Sequence, residues 1–133
     1  MKNLTITDVR VCPGDSGFLI DDGTTAILYD TGFGFTGTPM AERIRKILGD
    51  RPLDYIFLTH SHYDHALGSA WIAKQYPDVK IVAGEYTKAI FQKDSARTIM
   101  REMDRKAAAR YGCVQLEESA VDLRVDIAVK DGD

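Results

Sequence analysis

All three histidines of this 133-residue chain, His60, His62 and His65, lie within six residues of one another. They follow a short apolar run, Asp54-Tyr55-Ile56-Phe57-Leu58-Thr59, which reads as a buried strand. A segment of helical spacing comes next, with Leu67, Ala70, Trp71 and Lys74 on one face and Pro77 closing it. A strand that enters a polar turn and leaves it as a helix is the organisation of an α/β domain. The turn itself has the form H-x-H-x-D-H. In an extended stretch residues i and i+2 point the same way, so His60 and His62 can grip one ion together. Asp64 and His65 are adjacent where the chain is expected to bend, and can turn toward a second position beside the first. Imidazole and carboxylate suit zinc, manganese, iron or cobalt. Two such ions roughly 3.5–4 Å apart share and deprotonate a water for hydrolysis. The plainer alternative is a polar surface loop whose histidines only titrate.

The remaining elements fit the same class. Residues 4–11 alternate as a half-buried strand, and Phe18-Leu19-Ile20, a turn at Asp21-Asp22-Gly23, and Thr24 to Tyr29 make a hairpin. A glycine-rich loop, residues 30–37, leads to Thr38 as N-cap and Pro39 at the first position of a helix ending at Gly49. Lys80-Ile81-Val82-Ala83 reads as another strand, residues 86–92 and 95–111 as helices capped by Asp94 or Ser95, and residues 121–129 as a last alternating strand. The closing Lys130-Asp131-Gly132-Asp133 is a turn signal with no strand after it, which reads either as a fraying terminus or, more sharply, as a sequence that stops inside a larger domain.

Composition narrows the function. Apolar residues at 44% and charged residues at 28% are those of a globular chain, and 17 basic against 20 acidic residues give a net charge of −3. That balance argues against a nucleic-acid footprint built on phosphate contacts. No apolar run reaches the roughly 18 residues of a membrane span, and the start lacks a signal peptide's apolar centre. Cys12 and Cys113 cannot build a disulfide framework; they read as packed thiols, and a cytoplasmic location is expected.

Leu58-Thr59-His60-Ser61-His62-Tyr63-Asp64-His65-Ala66-Leu67-Gly68 resembles the metal-binding signature of the metallo-β-lactamase superfamily. The preceding hairpin, the Asp30-Thr31-Gly32 loop and the helix from Pro39 to Leu48 match that family's order of elements. The resemblance implies an α/β fold, the αβ/βα sandwich, with residues 1–133 forming its first half and no internal boundary. It implies that His60 and His62 bind the first metal and Asp64 and His65 the second. Zinc is the implied ion, up to two per complete site, with manganese or iron as alternatives. Asp64 would also orient the nucleophile, and Asp30 would orient a ligand imidazole from behind. The later half of the family's domain supplies a further His, a bridging Asp and a last His, and no histidine follows His65 here. The activity implied is metal-dependent hydrolysis of an ester, thioester, amide or phosphoester in a small-molecule substrate. Within that resemblance, the Asp64–His65 pair suggests a general two-metal hydrolase rather than a dedicated β-lactamase.

Other readings remain open at this level. The chain could be a non-catalytic metal-binding or homodimerising module, since half a sandwich exposes an apolar sheet face that seeks a second copy or the missing half. Asp30-Thr31-Gly32 is also the signature of a homodimeric aspartic protease, although Phe33 stands where that family places Ser or Ala. Arg97, Arg101 and Arg105 share a helical face with Glu102 and Asp104 nearby, read as solvated and ion-paired rather than anion-binding. Met100, Met103, Ala107, Tyr111 and Trp71 read as core.

Overall fold

The structure is a computed structural model and describes residues 3–59, 61–112 and 123–130. Six strands form one sheet whose spatial order is the chain order. β1 (Thr5–Asp8), β2 (Phe18–Asp21) and β3 (Ala26–Tyr29) are an antiparallel meander. β4 (Tyr55–Phe57), β5 (Lys80–Gly84) and β6 (Ile127–Val129) then run parallel to β3. Each parallel step needs a crossover, and helices supply it. α1 (Gly37–Leu48) joins β3 to β4, α2 (Tyr63–Ala66) and α3 (Ser69–Gln75) join β4 to β5, and α4 (Glu85–Phe91) and α5 (Asp94–Arg110) precede β6.

Register shows how the period-2 pattern sorts the faces. Leu19 pairs with Leu28, Leu28 with Ile56, and Ile56 with Ile81, so one row of aliphatic side chains crosses four strands. All four are buried, together with Met40, Ala41, Ile44 and Leu48 of α1 and Ile72 and Ala73 of α3. Each fully buried aliphatic side chain contributes on the order of 1.5–3 kcal/mol of transfer free energy, which makes this row the sheet's anchor. On the opposite face Ile6, Tyr29, Tyr55, Phe57 and Ile127 are each more than a third exposed. The apolar run before His60 therefore reads as buried on both faces but is covered on one only, among the described residues.

Several boundaries differ from the sequence reading. A single 3-10 turn, Gly34–Thr36, runs straight into α1, which moves the helix start to Gly37 and leaves Thr38 and Pro39 inside the first turn. The first strand is a short edge, and Thr5, Ile6 and Asp8 are exposed. The last strand starts at Ile127, because Asp126 leaves the alternation to accept the Ile81 N–H and donate its own N–H to Ile81 O. Val121, Asp122, Cys113 and the closing Asp131-Gly132-Asp133 lie outside the described residues. Lys93, with no side-chain bond, stands at the N-cap of α5 in place of Asp94 or Ser95.

On α5, Met100 and Ala107 are buried as expected, but Met103 is 41% exposed and Tyr111 only half-buried. Trp71 is likewise half-buried, with the Lys74 ammonium over its ring. Cys12 is partly buried against the cluster of Phe33 and Phe35. Arg97 pairs with Asp94 and Arg105 with Glu102, which bears out the ion-paired face. Asp104 departs from it: the side chain is fully buried and accepts the Gly34 N–H at 2.8 Å, tying α5 to the 3-10 turn.

No helix among the described residues is long and apolar enough to cross a membrane.

Candidate metal centre

β3 and β4 are parallel neighbours, so both deliver the chain to the same edge of the sheet, where α/β folds place their sites. β3 is followed by Asp30 and β4 by Leu58 and Thr59. The Asp30 N–H donates to Phe57 O at 2.8 Å, which extends the ladder by one residue and holds the two loops side by side.

Asp30 has φ +62, a left-handed conformation that a non-glycine residue adopts at a cost. The bend turns its carboxylate inward, where it is 2% exposed. Oδ1 accepts the Thr59 N–H at 2.9 Å, and the Thr59 hydroxyl lies 3.0 Å from both oxygens. Oδ2 lies 2.9 Å from His65 Nδ1 and 3.3 Å from the Ser16 hydroxyl. An ionised carboxylate only accepts, and about four lone-pair positions meet four donors here. We therefore assign the ring proton of neutral His65 to Nδ1, which leaves Nε2 as the lone-pair nitrogen.

The next residue holds the backbone of the same histidine. The Thr31 N–H and hydroxyl both donate to His65 O, at 2.8 and 3.0 Å. Gly68 then packs so closely that a Cβ there would stand 1.9 Å from Thr31 O. Asp30 and Thr31 thus fix the imidazole and main chain of His65 from one short loop.

α2 is a single turn entered from His62, whose backbone is extended (φ −64, ψ 144) and whose carbonyl accepts the His65 and Ala66 N–H groups. This turn brings Asp64 and His65 together, with Asp64 Oδ1 3.8 Å from His65 Nε2. Both side chains are about one-third exposed or less, at 33% and 27%, and so are open to solvent while that of Asp30 is not. His62 is exposed. Among the described residues no three His, Cys, Asp or Glu side chains are gathered closely enough to hold an ion, and His60 lies outside those residues. The donors present suit a metal as one edge of a site: an imidazole with its lone pair on the open side, and a carboxylate facing it.

Behind this loop stands Asp15, which sequence reasoning passed over. It is 6% exposed; its Oδ1 accepts the Phe33 N–H and lies 3.1 Å from the Thr36 hydroxyl, and its Oδ2 accepts the Val11 N–H. Burial raises its carboxyl above the usual 3.8, against the pull of those donors and the Ser16 N–H. A carboxyl with a raised folded pKa keeps its proton where the unfolded chain has lost it. Its contribution to stability is therefore complete below 3.8 and is lost as pH rises through the folded value. Asp15→Asn removes that slope, and whichever way the amide turns, its NH2 opposes a backbone N–H, costing about 1–3 kcal/mol at neutral pH. Denaturant melts of parent and variant from about pH 4 to about pH 8 check both effects.

The fold has counterparts among known proteins. The family model of the metallo-beta-lactamase superfamily matches residues 9–133, and the chain belongs to that superfamily. Its members bind metal ions, typically zinc. Among solved structures, the subclass B3 metallo-beta-lactamase BJP-1 of Bradyrhizobium japonicum is 26% identical with a TM-score of 0.61, over 100% of this chain and 44% of that one. A Cronobacter sakazakii metallo-beta-lactamase with a HARLDQ motif is 20% identical with a TM-score of 0.56, over 89% and 40%, and shares the fold. MEM-A1, a subclass B3 enzyme from a soil metagenome library, is 26% identical with a TM-score of 0.52, over 59% and 30%. No curated protein matches the sequence. The chain thus spans less than half the length of each of these structures. All three are β-lactamases by name.

Proposed function

We propose that this chain supplies the first half of a two-metal hydrolase site, with His60 and His62 on one ion and Asp64 and His65 on the other. Zinc is the proposed ion, with manganese or iron as alternatives. The observation that supports it best is the clamp on His65, which sets Nε2 toward Asp64 while Asp30 accepts a hydrogen bond from Nδ1–H. Bound ions of this kind lower the pKa of water and polarise the substrate's carbonyl or phosphoryl oxygen. Asp30 fixes the tautomer of His65, Thr31 fixes its backbone, and Asp64 holds a carboxylate on the open side to orient the nucleophile. The proposed substrates are small molecules with an ester, thioester, amide or phosphoester bond. The names of the similar structures make a β-lactam amide the first to try.

The aspartic-protease alternative fares worse on the same geometry. Asp30 is buried and its acceptor positions are filled, so its carboxylate is not presented to a substrate.

A second reading, a non-catalytic homodimerising module, draws on the exposed Tyr29, Tyr55, Phe57 and Ile127 of the sheet face. In that reading a second copy covers the face, and sedimentation at rising concentration would show a dimer.

The test of the enzyme reading is hydrolysis by the natural protein carrying this sequence. Loaded with Zn2+, it is expected to turn over at least one of the four bond classes. Chelation should abolish the activity, and Asp64→Asn should lower it by about 100-fold or more. A zinc-loaded protein inert to all four, or an Asp64→Asn variant with parental turnover, contradicts the proposal.

A further inference from the structure

We propose that Ser16, in the loop between β1 and β2, is a positioning residue for His65. The inference rests on the reading of His65 as a metal ligand and extends its support one step further back. Asp30 Oδ2 has three donors around it, His65 Nδ1 at 2.9 Å, the Thr59 hydroxyl at 3.0 Å and the Ser16 hydroxyl at 3.3 Å, and the Thr59 hydroxyl lies equally close to Oδ1. Because the carboxylate only accepts, the Ser16 O–H donates to Oδ2, whereas the one Thr59 hydroxyl proton serves either oxygen. With the Thr59 N–H on Oδ1 and the Thr59 hydroxyl between the two oxygens, this completes the set of donors that fixes the carboxylate plane. The plane of the carboxylate in turn sets the imidazole that leans on it.

Ser16 is itself held in place. Its own N–H turns to the Asp15 carboxylate, which also ties Val11 and Phe33. On its other side Gly17 O accepts the Val9 N–H. A Cβ on Gly17 would stand 2.6 Å from Met40 Cε, so the loop lies directly against α1. Asp15 and Ser16 thus grip the 30–36 loop from behind at two points, the first through the backbone of Phe33 and the second through the side chain of Asp30. Remove the hydroxyl and Oδ2 keeps His65 Nδ1 and the shared Thr59 hydroxyl, and loses its one tie to the β1–β2 loop, in a side chain that is 2% exposed. The carboxylate is then free to rotate toward Thr59 and loosen its hold on Nδ1.

Partners one step behind a metal ligand typically change affinity by 10–100-fold. Ser16 acts through Asp30, so Ser16→Ala is expected to weaken Co2+ binding about 3–10-fold, measured by competition with a chromophoric chelator. In the metal-free chain, nitrogen-15 NMR under alkaline conditions reads the His65 tautomer directly. The parent should show the Nδ1–H form, and Ser16→Ala should show a reduced share of it and faster exchange of that proton with solvent. Ser16→Thr keeps the hydroxyl and should restore both readouts. Parental tautomer, exchange and affinity in Ser16→Ala would overturn the proposal. Equal losses in Ser16→Ala and Ser16→Thr would also overturn it, since the residue would then act through packing. If the parent takes up no Co2+, the reading of the metal site fails, and the NMR comparison, which needs no ion, still decides the role of Ser16.

Discussion

Asp30→Ala is expected to cost about 3 kcal/mol of folding stability and to weaken zinc binding by about 10–100-fold. The loss of stability comes from the donors left behind. The Thr59 N–H and hydroxyl, the Ser16 hydroxyl and His65 Nδ1 all converge on a carboxylate that is 2% exposed. Water has little access to replace it. The loss of affinity has a separate origin, because without an acceptor at Nδ1 the imidazole of His65 is free to change tautomer and turn. Asp30→Asn separates the two effects. The amide keeps the shape and one acceptor oxygen but sets its NH2 against either Thr59 or the His65–Ser16 pair. It should therefore keep more stability than alanine and still lose affinity. Denaturant midpoints and competition with a chromophoric chelator read the two quantities independently. A variant that melts and binds like the parent would remove Asp30 from this account.

Gly68→Ala should be as damaging, for a purely steric reason. Its Cβ would lie 1.9 Å from Thr31 O and 3.1 Å from Phe33 O. Thr31 cannot withdraw, because its N–H and hydroxyl are both committed to His65 O. Relief means separating the 30–33 loop from the junction of α2 and α3, and so opening the clamp. A cost of about 3 kcal/mol or more is expected, at the top of the range for overpacking. Gly84→Ala is the control: nothing lies within 4 Å of its Cβ, and its change should stay within about 0.5 kcal/mol. Thermal and denaturant melts of the two variants side by side check the contrast. Equal behaviour would mean that the loop is free to yield.

These two residues also show where sequence reasoning reached and where it stopped. Asp30 was legible because Asp-Thr-Gly after an apolar strand is a distinctive string, and the family resemblance suggested its orienting role. The left-handed bend that aims it was not legible, because aspartate adopts that conformation only where its surroundings enforce it. The order of strands and helices from Phe18 to Arg110 could be read from periodicity and punctuation, with ends shifted by a residue or two, except that the 3-10 turn before α1 was not read and the one helix expected after the histidines is two, α2 and α3. Asp104 was misread because the helical pattern places it among arginines. Nothing local reveals that the Gly34 N–H, seventy positions away, requires an acceptor there. Asp15 and Ser16 escaped for the same reason: they sit in a polar loop, and their partners come from β3 and beyond. Tyr55 and Phe57 read as buried because an apolar run carries no information about which face is covered.

The central claim is that the turn from His60 to His65 holds metal. Its most direct test is elemental analysis of the full chain, purified without chelator or affinity-tag metal, beside His62→Ala and His65→Ala. The account predicts about one or more zinc, manganese or iron ions per parent chain, and a clear loss in both variants while they remain folded. A folded parent chain that carries no metal, or variants that retain it, would contradict the account.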